Sequence, residues 1–185
     1  MDDKEIIDSY WARDEEAIKE TSSKYGRLCT YIANNILSSH EDSEECVNDT
    51  YLAVWNAIPS QRPNRFSVFV SRIARNLALK KYEYITAGKR NPSAATSIEE
   101  LGDCVSGTDN IEIEMEKKHI ENTINHFLRK QSDEKRNVFI RRYWYFDSIE
   151  TICGRTGFSQ SKVKSMLYEM RQKLRKYLES EGIEV

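Results

Sequence analysis

Apolar residues recur every three or four positions along most of the chain, which is the spacing of amphipathic α-helices. Two such stripes occupy the first part of the chain, and a third follows a break at Pro59 and Pro63. The three stripes comprise Tyr25, Leu28, Cys29, Ile32 and Ile36, then Val47, Tyr51, Val54, Trp55 and Ile58, then Phe66, Phe69, Val70, Ile73 and Leu77. Only three prolines and seven glycines interrupt the 185 residues. Because these residues usually mark turns, their scarcity favours long helices, and we predict an all-α fold.

The helical pattern is interrupted once, by a segment that contains glycine, serine and threonine. Residues 1–87 are predicted to form one helical domain and residues 111–185 a second. Residues 88–110 between them are predicted to be a flexible linker, with a short helix around Ser97–Leu101. We therefore expect two small helical domains, each with its own core.

The strongest local signals lie in the second domain and predict a helix-turn-helix. Asp147 and Glu150 have the spacing of a capping box, whose side chains satisfy the free amides at the start of a helix. Gly157 can adopt the left-handed conformation that ends this helix, and Ser159 is a good N-cap for the next one. The last helix has an apolar stripe of Val163, Leu167, Met170, Leu174 and Leu178. Its opposite face carries Ser161, Lys164, Ser165, Tyr168, Arg171 and Arg175.

That polar face suits contact with DNA. Lysine and arginine can meet phosphates, while hydroxyl groups and a tyrosine ring can reach base edges. An ordinary amphipathic helix with a solvated basic face would show the same pattern. The helix alone therefore leaves both interpretations open.

Charge is strongly segregated along the chain, although the formal net charge is only −2. Residues 62–90 carry a net charge of +7, residues 93–121 a net charge of −6 and residues 129–178 a net charge of +8. Local patches matter more than net charge for a nucleic-acid binder, because phosphate attraction is screened within about 10 Å. Simple solvation would account for one basic patch better than for two, so the pattern favours nucleic-acid binding.

The third helix of the first domain repeats the theme of the last helix. Opposite its apolar stripe we expect Arg72, Arg75 and Asn76. An asparagine offers one acceptor and two donors to a base edge, whereas arginines suit phosphates. The polar loop of residues 60–65 beside this helix could receive an unstacked base. A merely solvated asparagine is the alternative, and it is the commoner situation on an exposed helix.

Several classes of function find little support. The four cysteines are widely scattered and the three histidines do not group with them, so we expect neither a metal site nor another cofactor. No His–carboxylate or Cys–His arrangement at a useful spacing indicates an enzyme. No apolar run approaches the roughly 20 residues of a membrane span, and the acidic N-terminus is unlike a secretion signal. We expect a cytoplasmic protein with reduced thiols.

Three segments, in this order, resemble regions 2 and 4 of bacterial sigma factors, in particular the small extracytoplasmic-function group. Residues 41–55, EDSEECVNDTYLAVW, resemble the acidic helix that docks on the clamp helices of RNA polymerase. Residues 66–78, FSVFVSRIARNLA, resemble the helix that reads the −10 element. Residues 137–145, NVFIRRYWY, together with the helix-turn-helix resemble the domain that reads the −35 element. The resemblance covers nearly the whole chain except the linker.

The resemblance implies roles for individual positions. It assigns polymerase binding to Glu45, Asn48, Asp49 and Leu52. Asn76 matches the family's base-contacting asparagine, and Lys164, Ser165 and Tyr168 match the positions that face the major groove. Met166 and Glu169 stand where arginines are frequent in relatives, so we expect weaker phosphate anchoring or an altered sequence preference.

The function implied by the resemblance is promoter-specific initiation of transcription, without catalysis by this chain. The partners would be core RNA polymerase, promoter DNA and an anti-sigma factor. The acidic linker would thread basic channels of the polymerase, and a merely soluble tether is the alternative interpretation of its charge. The alternative is a stand-alone helix-turn-helix regulator. Such a regulator would need a dimer or high intrinsic affinity for DNA, and it would have no use for a polymerase-docking helix.

Overall fold

The computed structural model describes residues 1–86, 97–101 and 113–183, and over these residues all regular secondary structure is helical. The prediction of an all-α fold is confirmed. The chain divides into two compact units, Met1–Ala94 and Ala95–Val185. Each unit is described by itself.

The first unit contains four helices within residues 1–86: α1 (Asp3–Trp11), α2 (Glu16–Leu37), α3 (His40–Ala57) and α4 (Phe66–Thr86). Local signals set their ends. Asp2 and Glu5 form a capping box at the start of α1. The left-handed Ser38 ends α2, and the side chain of Ser39 then accepts a hydrogen bond from the amide of Asp42 to start α3.

The core of the first unit lies where α2 packs against α3 and α4. On α4, the buried line runs through Phe66, Val70, Ala74, Ala78 and Tyr82. The predicted stripe is therefore only partly correct, since Phe69, Ile73 and Leu77 are half-buried. The burial shifts because the small alanines in the middle of α4 allow close approach of the neighbouring helices, and the larger residues are left at the edge of the contact.

The second unit contains a short helix α5 (97–101), followed by α6 (Ile113–Arg129), α7 (Asp133–Tyr143), α8 (Ile149–Thr156) and α9 (Gln160–Ser180). Its core gathers around α9, which contacts α6, α7 and α8. All five residues of the predicted apolar stripe on α9 are buried. The linker prediction for residues 88–110 lies mostly outside the described residues, but residues 97–101 belong to this second unit.

The predicted helix-turn-helix is present, with one correction at its first cap. Gly157 ends α8 with φ of 73°, and the side chain of Ser159 starts α9 by accepting from the amide of Lys162. The N-cap of α8, however, is Ser148, which accepts from the amide of Thr151, and not Asp147. Asp147 is buried and accepts instead from Arg141. Its carboxylate is committed to a tertiary contact, so the cap passes to the next residue.

Candidate polymerase and nucleic-acid interfaces

The exposed side of α3 brings together the four residues predicted to bind polymerase. Glu45, Asn48, Asp49 and Leu52 follow the i, i+3, i+4, i+7 spacing of one helix face, and all four are exposed. Leu52 is 60% exposed, which is high for a leucine. The opposite side of α3 buries Cys46, Val47, Thr50 and Val54 in the core. The four residues are therefore not needed for packing and are accessible to a partner.

An ion-pair cluster borders this face. The ammonium group of Lys81 on α4 lies 2.5 Å from a carboxylate oxygen of Glu45 and 3.1 Å from one of Asp42. Partial burial disfavours the charge on Lys81, but hydrogen bonds to Glu45 and Asp42 outweigh that effect and raise the pKa of Lys81. Glu45 is thus partly neutralised from inside the unit. Asp49 and Leu52 remain the more available pair for a partner.

On α4, the exposed face differs in part from the expectation. Arg72, Asn76 and Lys80 are exposed and follow each other at intervals of one turn. Arg75 is half-buried, and its burial lowers the pKa of its guanidinium group. Arg75 lies toward the packed side of α4, so it does not join the exposed row of Arg72, Asn76 and Lys80.

A surface pocket of about 330 Å³ lies beside Asn76. It is lined by Ala57, Gln61, Phe69, Arg72, Ile73 and Asn76. The half-buried residues of α4 thus form an apolar floor, while an amide and a guanidinium group stand at the rim. Sequence reasoning predicted a receptive loop beside Asn76, and the structure adds that the pocket includes the end of α3.

The loop between α3 and α4 is held in place from both sides. The backbone N–H of Gln61 donates to the backbone carbonyl of Ala57 at 3.0 Å, which keeps Gln61 at the pocket. Arg62 forms an ion pair with Asp8 of α1 and lies over the ring of Trp11, 5.8 Å from its centroid. These contacts give the pocket a preformed wall, because the loop is tied to α1 as well as to its own helix ends.

The polar face of α9 is exposed at most of the predicted positions. Ser161, Lys164, Ser165, Tyr168 and Arg175 are exposed, and Tyr168 is 59% exposed. Tyr168 therefore does not cover the apolar stripe, which was the alternative explanation for its position. Arg175 also forms an ion pair with Glu179, 3.3 Å away along the helix surface.

Two positions on α9 correct the comparison with arginines of the family. Met166 is buried in the core of the second unit, so this side chain fills space there and is not a lost surface contact. Glu169 is exposed and pairs with Lys135 of α7 at 3.1 Å. Of the two replacements, only Glu169 changes the charge of the outer face.

Arg171 does not join the exposed row either. Its side chain is 19% exposed, and its Nη1 donates to the hydroxyl of Tyr143 at 2.7 Å. Glu100 of α5 lies 3.6 Å from the same guanidinium group. The residues that hold Arg171 come from α5 and α7, and sequence reasoning missed them because they are distant along the chain.

Arginine–carboxylate contacts also fix the turn between α7 and α8. Asp147 lies 3.2 Å from Arg141 and 3.8 Å from Arg155. The backbone carbonyl of Asp147 accepts from Arg142 at 3.1 Å. Phe146 adopts a left-handed φ of 57° in this turn. The buried aspartate therefore links α7 to α8, and the adjacent arginines of the sequence were the available signal for it.

One family model matches part of the first unit. Residues 22–85 match the family model for sigma-70 region 2. This match spans most of α2 and all but the last residue of α4, with α3 between them. This segment of the chain therefore resembles sigma-70 region 2. The resemblance seen in the sequence of the first domain is confirmed.

One solved structure similar to this chain is that of CnrH in complex with the cytosolic domain of CnrY. It is 18% identical, with 96% of this chain and 97% of that chain covered and a TM-score of 0.45. No curated protein sequence matches this chain.

The described residues lack two further kinds of feature. None of the helices among them is long and apolar enough to cross a membrane. Nor do they contain a group of three or more His, Cys, Asp or Glu side chains that could hold a metal ion. The features that stand out are the exposed face of α3, the pocket on α4 and the polar face of α9.

Proposed function

We propose that this chain is a sigma factor of the extracytoplasmic-function type, which binds core RNA polymerase in the cytoplasm and directs promoter-specific initiation of transcription. The observation that carries the proposal is the exposed face of α3. Glu45, Asn48, Asp49 and Leu52 are accessible together within the segment that matches sigma-70 region 2. An exposed leucine ringed by acidic and amide groups suits a protein partner with a basic rim and an apolar centre.

The pocket beside Asn76 supports a role in reading the −10 element. A base taken out of the stack needs a cavity and hydrogen-bonding groups for its edge. The pocket offers the amide of Asn76 and an apolar floor that includes Phe69. Its volume of about 330 Å³ is at the small end of the roughly 300–1,000 Å³ typical of ligand pockets. Arg72 at the rim would hold the backbone of the non-template strand.

The exposed face of α9 supports a role in reading the −35 element as duplex. In helix-turn-helix proteins the N-terminal residues of the second helix contact base edges. Lys164, Ser165 and Tyr168 occupy that part of α9 and are exposed. Ser161 lies a turn earlier, and Arg175 lies where the helix would meet the backbone. Arg171 has the right position for a phosphate contact but is engaged inside the unit.

The proposal is tested first on the polymerase contact. Asp49→Arg and Leu52→Ala are expected to reduce co-purification of the chain with core RNA polymerase at least several-fold while the helical content stays unchanged. Charge reversal at an interface opposes a complementary surface, and both side chains lie off the packed side of α3. Glu15→Arg, an equally exposed charge reversal that precedes α2, is the matched control.

Run-off transcription over a pool of promoters completes the test. The wild-type chain with core enzyme should initiate at a subset of promoters, and the two α3 variants should not. Near-normal co-purification of both variants would contradict the polymerase assignment. Tight promoter binding by the chain alone, with no binding to core enzyme, would instead favour a stand-alone regulator. The resemblance also implies an anti-sigma factor, which co-purification from the native cell would reveal.

A further inference from the structure

Glu100 lies at the meeting point of three side chains from the second unit. Its carboxylate accepts two hydrogen bonds from Arg142, at 3.1 Å and 3.2 Å, in a bidentate arrangement. It also accepts from the hydroxyl of Tyr143 at 3.1 Å and forms an ion pair with Arg171 at 3.6 Å. Bidentate arginine–carboxylate pairs are among the strongest hydrogen-bonded contacts in proteins. Glu100 therefore fastens α5 to α7 and α9.

Breaking the ion pair between Glu100 and Arg142 would cost free energy, because Arg142 is buried. Arg142 is only 4% exposed, and its two acceptors among the described contacts are Glu100 and the carbonyl of Asp147. Removing one partner of a buried ion pair leaves a buried charge uncompensated. Burial also raises the pKa of Tyr143, so its hydroxyl stays protonated, donates to Glu100 and accepts from Arg171. Both partners of Arg171 are thus held in place.

The held arginine lies beside the groups proposed to read DNA. Glu100, Lys164, Tyr168 and Arg171 line one surface pocket of about 330 Å³, together with Ile149 and Leu167. A carboxylate at this place neutralises the guanidinium group and repels a phosphate. Each cation that reaches a phosphate adds about 0.9 to the slope of log affinity against log salt. Arg171 therefore adds nothing to this slope while Glu100 holds it.

We propose that Glu100 is a built-in attenuator of DNA binding: it keeps Arg171 away from the DNA backbone and so lowers the affinity of α9 for duplex DNA. This inference rests on the proposed −35 function and refines it. Glu100 acts through Arg171 and does not contact DNA itself. The cations of α9 that bind phosphate are then those outside the contact: Lys164, and Arg175, whose pair with Glu179 is exposed and therefore weak.

The test compares two neighbouring glutamates of α5. Glu100→Gln keeps an acceptor for Arg142 but removes the charge that holds Arg171. Fluorescence anisotropy measures binding of the full chain to a short random-sequence duplex between about 50 and 200 mM salt. Compared with wild type, Glu100→Gln should bind roughly three- to tenfold more tightly at the low-salt end, and its slope of log affinity against log salt should be steeper by about one. Glu99→Gln removes the same charge from the same helix at an exposed position, and its affinity should stay near that of wild type.

A double mutant separates release of Arg171 from a general charge effect. In Glu100→Gln combined with Arg171→Ala, the gain in affinity and slope should disappear, because the released cation is gone. Equal behaviour of Glu100→Gln and Glu99→Gln would overturn the attenuator. A gain that persists without Arg171 would overturn it as well.

If Glu100→Gln does not fold, the inference is tested by a second measurement on variants that keep Glu100. In the wild-type background, Arg171→Ala should leave the salt slope unchanged, while Arg175→Ala should lower it by about one. An equal loss of slope in both variants would overturn the inference. If the wild-type chain binds no duplex at any salt concentration, the proposed −35 function fails and the attenuator fails with it. If the wild-type chain binds duplex but Glu100→Gln shows neither tighter binding nor a steeper salt slope, the attenuator alone is refuted.

Discussion

Helices α4 and α9 both carry cations opposite a buried stripe, but they differ in what the stripe is made of. The middle of α4 buries Ala74 and Ala78, whereas α9 buries larger residues such as Leu167 and Leu174. Small residues bring α4 close to its neighbours and leave Phe69 and its companions at the edge, where a pocket opens. The larger stripe of α9 fills its core and leaves Lys164, Ser165 and Tyr168 exposed on the outer side of the helix. One helix is thereby suited to enclosing a single base and the other to lying along a duplex.

The two helices also share a feature that reduces their available positive charge. In each, a cation is paired with carboxylates from another helix of its own unit: Lys81 of α4 with Asp42 and Glu45, and Arg171 of α9 with Glu100. Lys81 and Arg171 are similarly exposed, and the difference is that the contact of Glu100 also includes the buried Arg142. Counting positive residues along either helix therefore overestimates the charge available to DNA.

The difference in packing gives the largest expected effect. Leu174→Ala should lower the free energy of unfolding of the second unit by about 2–5 kcal/mol, because it leaves a cavity in the core. Ala74→Leu should destabilise the first unit by about 1–3 kcal/mol through overpacking against its neighbours. Hydrogen exchange read by mass spectrometry assigns each loss to its unit. Val68→Ala, at an exposed position of α4, is the control and should change stability by less than about 0.5 kcal/mol. A well-tolerated Ala74→Leu would show that α4 is not closely packed.

The enclosed-base role of α4 is tested at Asn76. Asn76→Ala should reduce open-complex formation and relax the preference at one −10 base by roughly 1–3 kcal/mol, because an amide contact to a base edge is lost. Arg72→Ala should instead weaken all promoters alike, since phosphates carry no sequence information. Permanganate footprinting of wild-type and variant complexes measures both. Equal melting and an unchanged preference for Asn76→Ala would remove the base-reading role from the pocket.

The duplex role of α9 is tested by separating reading from anchoring. Tyr168→Ala should change which −35 sequences are selected from a randomised pool, because an apolar and hydroxyl contact with base edges is lost. Arg175→Ala should weaken binding to all sequences and lower the salt slope by about one. Thermal melts of both variants should stay near wild type, since both side chains are exposed. An unaltered selection for Tyr168→Ala would contradict its role.

The smallest expected effect concerns the surface contact of Lys81. Lys81→Met should lower the stability of the first unit by no more than about 1 kcal/mol at neutral pH, because its ion pairs are partly exposed. Hydrogen bonds from Ser39 and Lys81 lower the pKa of Asp42, so their contribution is present above the ordinary aspartate pKa and is lost as the pH falls through the lowered value. Urea titrations at neutral pH and at about pH 3 should show the gap between variant and wild type closing. Lys80→Met, at an exposed position, should show no gap.

Local sequence patterns predicted much of the fold. They failed where a residue that suits a local role, such as a helix cap, makes a tertiary contact instead. The stripe on α9, the left-handed Gly157 and the Ser159 cap follow from spacing within one or two turns. Asp147 satisfied the local rule for a cap but is buried between arginines, and the cap moved to Ser148. A cap is worth about 1 kcal/mol, whereas an uncompensated buried charge costs more, so the tertiary contact prevails.

The candidate interfaces were predictable to different degrees for the same reason. The outer face of α3 follows from helix periodicity, and all four of its predicted residues are exposed. Arg75 and Arg171 lie on the border of their polar faces, where periodicity alone does not distinguish an exposed arginine from a half-buried one. The partner of Arg142 lies 42 residues earlier in the chain, and no local rule connects the two.

The anchoring of α5 also determines where the second unit can be cut from the chain. The second domain predicted from the sequence begins at residue 111, and a fragment started there would have an intact helix-turn-helix but no Glu100. Its Arg142 would be buried with the carbonyl of Asp147 but without a carboxylate. A fragment started at Ala95 keeps the contact. A fragment of the second unit that keeps Arg142 paired with a carboxylate therefore has to begin upstream of the helix-turn-helix and of α6.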